Sequence, residues 1–329
     1  MTKFLFDGIL DKTSFSYNQL SEIIRDEDQH YLFRLFVIAK NRFFPFIRLF
    51  LFYIYRVLKY KVFNKQCDGT VLYFSVENFY DLASLLYHNR SIKRHVLWFW
   101  NPVSTFGSNK YSHWLYVHLF IPILKFLGVE LWSFDKADAN KYMLKYHPQV
   151  HNSLSLMRSG FHEFDSDFLS DKSFLFVGFD KGRLHKLSEL KSILSKFNIL
   201  CDFHIIADVG KKYSSLDRLL VKHDHLPYAD YLHRISNSFG LIDFVQDGQS
   251  GLTLRVLEAV FLRKKLITNN LSVKDYDFYN ASNIFVLEGE ACGDDINQLS
   301  LFLNSDFVEI DDVILEKYDI NHLLKSIFE

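Results

Sequence analysis

The chain has 329 residues, of which 49% are apolar and 23% charged, so it carries the material for a sizeable core. Its 13 Gly and 5 Pro exclude a collagenous or linker-like chain. A balance of 38 Lys and Arg against 39 Asp and Glu argues against a general nucleic-acid binder and against an acidic disordered tail. Cys67, Cys201 and Cys292 are widely spaced and form neither a CxxC pair nor a metal-ligand spacing, so no disulfide framework is expected. The first residues, with acids at Asp7 and Asp11, lack the apolar core and cleavage site of a signal peptide. No run of about 18 uncharged apolar residues occurs, so no spanning helix is expected and the compartment reads as cytoplasm.

Early in the chain, residues 29–67 contain no acid but eight cations: Arg34, Lys40, Arg42, Arg48, Arg56, Lys59, Lys61 and Lys65. On a helix beginning after Pro45, Arg48, Arg56 and Lys59 fall within about 80° of one another, with Phe, Leu, Ile and Tyr on the remaining face. The segment 30–65 therefore reads as basic and amphipathic, with the helix after Pro45 lying in a membrane interface, against the alternative of a core helix with a solvated basic edge.

Short β-rich runs then alternate with helical ones. Residues 70–76 and 95–100 read as strands, 111–127 as a helix and 129–134 as a strand, followed by a polar linker at 152–172. The second half opens on a strand at 173–179 and a helix at 184–197. Strands at 199–207, 240–246, 265–270 and 283–288 follow, with helices at 226–238 and 252–264 between them. Strands alternating with helices imply parallel sheets. The expectation is an α/β protein with two Rossmann-like domains facing across a cleft, one over 1–160 and the other over 161–329.

Two strand-to-helix junctions in the second half carry the candidate chemistry. Gly178, Lys181, Gly182 and Arg183 lie between a strand end and a helix start, where free N–H groups and cations suit a diphosphate. The stretch 243–258 runs from Asp243 at a strand end through Gln249, Ser250 and Gly251 to Thr253 at a helix start. Arg255 and Glu258 follow within that helix.

These residues resemble the two-domain glycosyltransferases of the GT-B fold, specifically bacterial enzymes of surface polysaccharide synthesis (capsule, O-antigen or lipopolysaccharide). The likeness lies in Asp180-Lys181-Gly182-Arg183 and in 248–270, with a weaker similarity over 131–149. It implies that Lys181 and Arg183 contact the diphosphate of a nucleotide-sugar donor, and that Glu258 takes its ribose. Ser250 stands where many retaining enzymes of that fold carry a second Glu, so stereochemistry stays open and Asp243, Asp247 or the loop amides are left to supply a polar contact. The first domain would then hold a glycan or lipid-linked acceptor. Glu77, directly after a strand, is the leading candidate base, with Asn101 and His113 behind it.

No metal or other cofactor is called for. Asp165-Ser166-Asp167 and Asp275-Tyr276-Asp277 match a metal-binding DxD pattern but precede a strand or sit in a turn. His223-Asp224-His225 lies in a basic loop, and His147-Pro148, a sialyltransferase-like pair, falls in the wrong domain. The expected protein is a glycosyltransferase peripheral to the inner face of the cytoplasmic membrane. Its rivals are a nucleotide-sugar epimerase of the same fold and a non-catalytic assembly subunit.

Overall fold

Every strand pairing among the described residues is parallel, as near-continuous apolar runs require when both faces of a strand must be covered. The computed structural model describes residues 2–6, 45–57, 69–76, 78–107, 109–152, 172–245, 250–288 and 294–328. The chain divides into two compact units, Met1–Gln149 with Leu323–Glu329, and Val150–His322. Most of the linker expected at 152–172 lies outside the described residues.

In the first unit, β1 (Thr2–Phe6), β2 (Thr70–Phe74), β3 (Arg94–Phe99), β4 (Val129–Ser133) and β5 (Lys145–Tyr146) lie side by side in that order. This differs from the expected Rossmann-like arrangement. Each new strand adds to the same edge, so among the described residues this sheet has no point at which strand order reverses. Val71, Tyr73, Leu97, Phe99 and Leu131 pack with Leu82, Leu86 and Leu124 in one cluster. Their neighbours Leu72, Phe74, Val96 and Trp98 are equally buried.

The helix Pro45–Val57 begins with Pro, whose fixed φ suits a first turn. Leu49 and Phe52 enter the core, and Phe52 meets His95 edge-on at 5.1 Å. Arg48 turns inward and donates to the Ser84 hydroxyl, which corrects its expected place on an outward basic stripe. The Arg56 side chain and Lys59 lie outside the described residues. No helix among the described residues is long and apolar enough to cross a membrane.

Residues 110–126 form one helical stretch opened by a reciprocal cap, in which Asn109 and Ser112 each accept the other's N–H. It widens into a π turn at Tyr116–Phe120. Pro122 follows directly, and the wider turn relieves the clash its ring would make with the carbonyl of His118. At the amino end of β3, Arg94 pairs with Glu130 at 2.7 Å and donates to the Ile327 carbonyl. Arg94 thus fastens the last helix, Ile320–Phe328, to the sheet. Through hydrogen bonds from Arg94 and then Lys145, the Glu130 carboxyl is held down at about 2.

The second unit holds β6 (Ser173–Phe179), β7 (Leu200–Ile206), β8 (Val221–Lys222), β9 (Gly240–Asp243), β10 (Lys265–Thr268) and β11 (Ile284–Val286). Their spatial order is β11-β10-β9-β6-β7-β8. The chain builds outward from β6 in one direction, then returns and builds outward in the other. This is the Rossmann order, with a switch point between β6 and β9, and ligands of such sheets bind beyond the carboxyl ends of the strands there.

Gly240, at the start of β9, marks how closely that centre is packed. A Cβ there would stand 2.4 Å from the Phe174 ring and 2.7 Å from the Lys265 carbonyl oxygen. Gly240→Ala is therefore expected to destabilise the second unit by roughly 1–3 kcal/mol through overpacking, read as a lower urea midpoint with unchanged slope. A neutral result would show that β9 and β10 can move apart.

Candidate functional site

The turn leaving β6 is shaped by a carboxylate with no exposed surface. Lys181 and Gly182 adopt successive positive φ angles of 44° and 81°, a turn that needs outside support at the non-glycine position. Asp208 supplies it, accepting the Lys181 N–H at 2.8 Å. Asp180 takes the first N–H of the following helix, that of Leu184, at 2.8 Å. Its other oxygen pairs with Lys211 and accepts the Tyr213 hydroxyl at 2.9 Å. Burial pushes the Asp180 carboxyl up, but these partners outweigh it and hold the group below its ordinary value. Asp208, Lys211 and Tyr213, in the loop after β7, escape the sequence reading because nothing local announces that they meet the turn after β6.

Arg183 is buried, unlike the exposed diphosphate ligand the resemblance implies. Its guanidinium donates to the carbonyls of Asp180 at 3.1 Å, Phe244 at 2.8 Å and Phe179, tying β6 to the end of β9. Burial, then the nearby Arg255, lowers its proton affinity to about 10. Lys181 is the exposed cation of the pair, and its ammonium has no hydrogen bond or ion pair among the described residues. Burial lowers its pKa, and Arg183 and Arg255 lower it further.

Arg255 reaches the same place from the helix Leu254–Phe261. It donates to the Val177 carbonyl at 2.8 Å and pairs with Asp243 at 2.9 Å. Gly178 leaves room for it, since a Cβ there would lie 2.7 Å from Arg255 Nη2. Asp243 is wholly buried at the end of β9, and its Oδ2 has no hydrogen-bond partner among the described residues. The buried hydroxyl of Thr253, at the helix start, is likewise unpaired and does not cap the helix. A buried polar atom without a partner is costly unless a ligand or water satisfies it.

The loops after β9 and β10 brace each other. The Ser250 carbonyl accepts from Ser272 at 2.5 Å, the Gly251 carbonyl from Asn270 at 3.3 Å, and Asn269 accepts the Val245 N–H at 2.8 Å. Gln249, Asp247 and Glu77 lie outside the described residues. Asn101 sits exposed in a turn, and His113 Nδ1 is 3.0 Å from the Phe106 carbonyl oxygen. Asp277 is engaged by Lys317 and Tyr318, both at 2.6 Å. Among the described residues no group of three or more His, Cys, Asp or Glu converges as a metal site would require.

Glu258 also departs from its implied role. It lies a turn into the helix, faces the helix Tyr228–Ser236 and accepts the Tyr231 hydroxyl. It is only 3% exposed. Burial raises its pKa to about 7, against the pull of Tyr231 and Arg255.

No family model matches the chain, and no curated protein matches it. Among solved structures, one described as the glycotransferase of kitacinnamycin is similar. It shares 10% identity over 97% of this chain and 92% of its own, with a TM-score of 0.37.

The buried carboxyl makes a specific pH signature. Folded Glu258 keeps its proton to about pH 7 and the unfolded group loses it near 4.5, so its stabilising effect is complete below 4.5 and is lost as pH rises through 7. Glu258→Gln, which stays neutral, is expected to match the wild type at pH 4.5. Above pH 7 it should gain on the order of 2–3 kcal/mol over the wild type. Equal urea midpoints at pH 8 would show that the carboxylate is accommodated in its ionised form.

Proposed function

We propose that the chain is a glycosyltransferase that takes a sugar from a nucleotide-sugar, with the donor diphosphate held beyond the carboxyl ends of β6 and β9. The observation that carries this reading is the crowding of cations there. Burial first, and then neighbouring guanidinium charge, lowers the proton affinity of Lys181 and of Arg183, and a diphosphate is the ligand that would offset that repulsion. The start of the helix Leu254–Phe261 adds its free N–H groups. Thr253 Oγ1 and Asp243 Oδ2 are the unpaired atoms to which a nucleoside or sugar hydroxyl could bond.

In the reaction, the acceptor hydroxyl oxygen forms a bond to the anomeric carbon. The bond from that carbon to the diphosphate oxygen breaks, and its electron pair leaves with the nucleotide. Lys181 and Arg255 would stabilise the charge that grows on the leaving oxygen. The proton lost by the acceptor goes to a general base, for which the sequence offers Glu77 as the leading candidate. Arg183 and Asp180 act one step back by holding the turn, and Asp243 by orienting Arg255. The resemblance in 180–183 and 248–270 supports placing this activity in bacterial surface polysaccharide synthesis. In that setting a glycan or lipid-linked acceptor would be met at the cytoplasmic face of the membrane.

Calorimetric titration with UDP, GDP, dTDP and CMP forms, each beside its free nucleoside, tests the site. One diphosphate is expected to bind well above its nucleoside. Lys181→Ala and Arg255→Ala should each cost roughly 10- to 100-fold in affinity, as expected for a charge-assisted contact. Gly178→Ala, which displaces the Arg255 guanidinium, should weaken binding in the same direction. Unchanged affinity in all three variants overturns the site. Isomerisation of a nucleotide-sugar without any acceptor would make the protein an epimerase instead.

A further inference from the structure

The helix Pro45–Val57 has one face in the core and one in solvent, and the solvent face is apolar. Ile47, Phe50 and Leu51 are exposed at 50%, 60% and 41%, while Leu49 and Phe52 are buried on the other side. The face continues onto a second element. The Tyr53 ring stacks on Phe126 at 5.5 Å, and Phe126 closes the helical stretch 110–126, whose Trp114 is also exposed. Phe126 is 73% exposed and Trp114 54%. An apolar surface shared by two elements is a mark of an interaction site rather than scattered exposure.

Charge identifies the occupant. No Asp or Glu occurs in 29–67, which has eight Lys or Arg, or in 82–129, which has five. Both helices of the apolar face come from these two acid-free stretches. Residues 1–149 carry 19 Lys or Arg against 12 Asp or Glu, whereas 150–329 carry 19 against 27. An apolar, aromatic face borne by two helices from acid-free, basic stretches of sequence matches an anionic bilayer, where aromatic rings sit at headgroup depth and cations meet phosphates. A second copy of the same basic face would be repelled.

We propose that this face of the first unit docks on an anionic lipid surface, with Phe50, Trp114 and Phe126 entering the headgroup–acyl boundary. The inference deepens the reading of a membrane-side acceptor and rests on it for its biological purpose, but not for its physical basis. It moves the contact from the basic stripe of one helix, where Arg48 is turned inward, to the outer faces of two.

The test uses the full chain with phosphatidylcholine vesicles, with and without phosphatidylglycerol. Of the four tryptophans, Trp98 and Trp132 are buried and Trp100 is half-buried, so the Trp114→Phe variant is what assigns an emission shift to Trp114. A blue shift is expected with the anionic vesicles alone, absent in Trp114→Phe and weakened by salt. Phe50→Ser and Phe126→Ser should each lower partitioning about tenfold, whereas Leu301→Ser, an exposed change in the second unit, should leave it unaltered. No blue shift, or equal partitioning of all variants, overturns the proposal. So does a lipid-free dimer that Phe50→Ser dissolves, since a second copy would then be the occupant. Nucleoside diphosphate affinity of the same variants is read separately. Its loss in the wild type would sink the glycosyltransferase reading and leave the docking surface standing.

Discussion

Two guanidinium groups share one buried phenyl ring. The Cζ atoms of Arg183 and Arg255 stand 5.2 and 4.9 Å from the Phe176 ring centroid, in the central strand of the second unit. Like charges so close to one another, and largely withdrawn from water, require oxygen partners on nearly every side. The carbonyls of Val177, Phe179, Asp180 and Phe244 and the carboxylate of Asp243 provide them. The paths of β6 and β9 at their carboxyl ends follow from that demand, because their main-chain oxygens must converge on two fixed cations. Gly178 follows as well, since any side chain there would occupy the place of one guanidinium.

Around this pair the turns are held by polar groups that face inward rather than toward a ligand. Asp180 gathers a helix N–H, an ammonium and a phenol, and Asn269 and Asn270 join the loops after β9 and β10. Such ties fix the positions of Lys181, Thr253 and the free oxygen of Asp243 before any ligand arrives. Preorganised charge of this kind costs no rearrangement at the moment of reaction. The sheet thus contributes a switch point, the buried arginines a rigid rim, and Lys181 an exposed ammonium on that rim.

The sequence reveals strands whose apolar runs have clear ends. Residues 173–179 form a strand as read, and the helix expected at 184–197 ends only two residues sooner, at Ser195. It does not reveal β1, because Thr2 pairs with Thr70 and nothing local announces so distant a partner. The helix Phe79–His88 escapes notice for a different reason: it is apolar enough to be buried but lacks a clean polar face. Cationic residues at the strand-to-helix junction are legible as a site; which of them face outward is not. Arg183 is captured by a carbonyl 61 residues away, and Glu258 by a tyrosine on another helix. Arg48 is turned inward by a serine 36 residues on. Spacing along one helix cannot report partners that tertiary structure brings.

A near-neutral total conceals two different charge distributions. The acid-rich part of the chain, with 27 Asp or Glu against 19 Lys or Arg beyond residue 149, concentrates cations at one strand edge and balances them elsewhere. An extended polyanion approaching such a body meets repulsion over most of its length, since screening reaches about 8–10 Å in physiological salt. A diphosphate is shorter than that range and samples the local cations alone. In the first 149 residues cations outnumber acids 19 to 12 and fall in long acid-free stretches of sequence. A spread field acts weakly on a single small anion but adds over many headgroups, each basic residue near the surface contributing about 1 kcal/mol. Such a contrast would separate point-like anions from anionic surfaces by charge distribution, before shape or hydrogen bonding discriminates further.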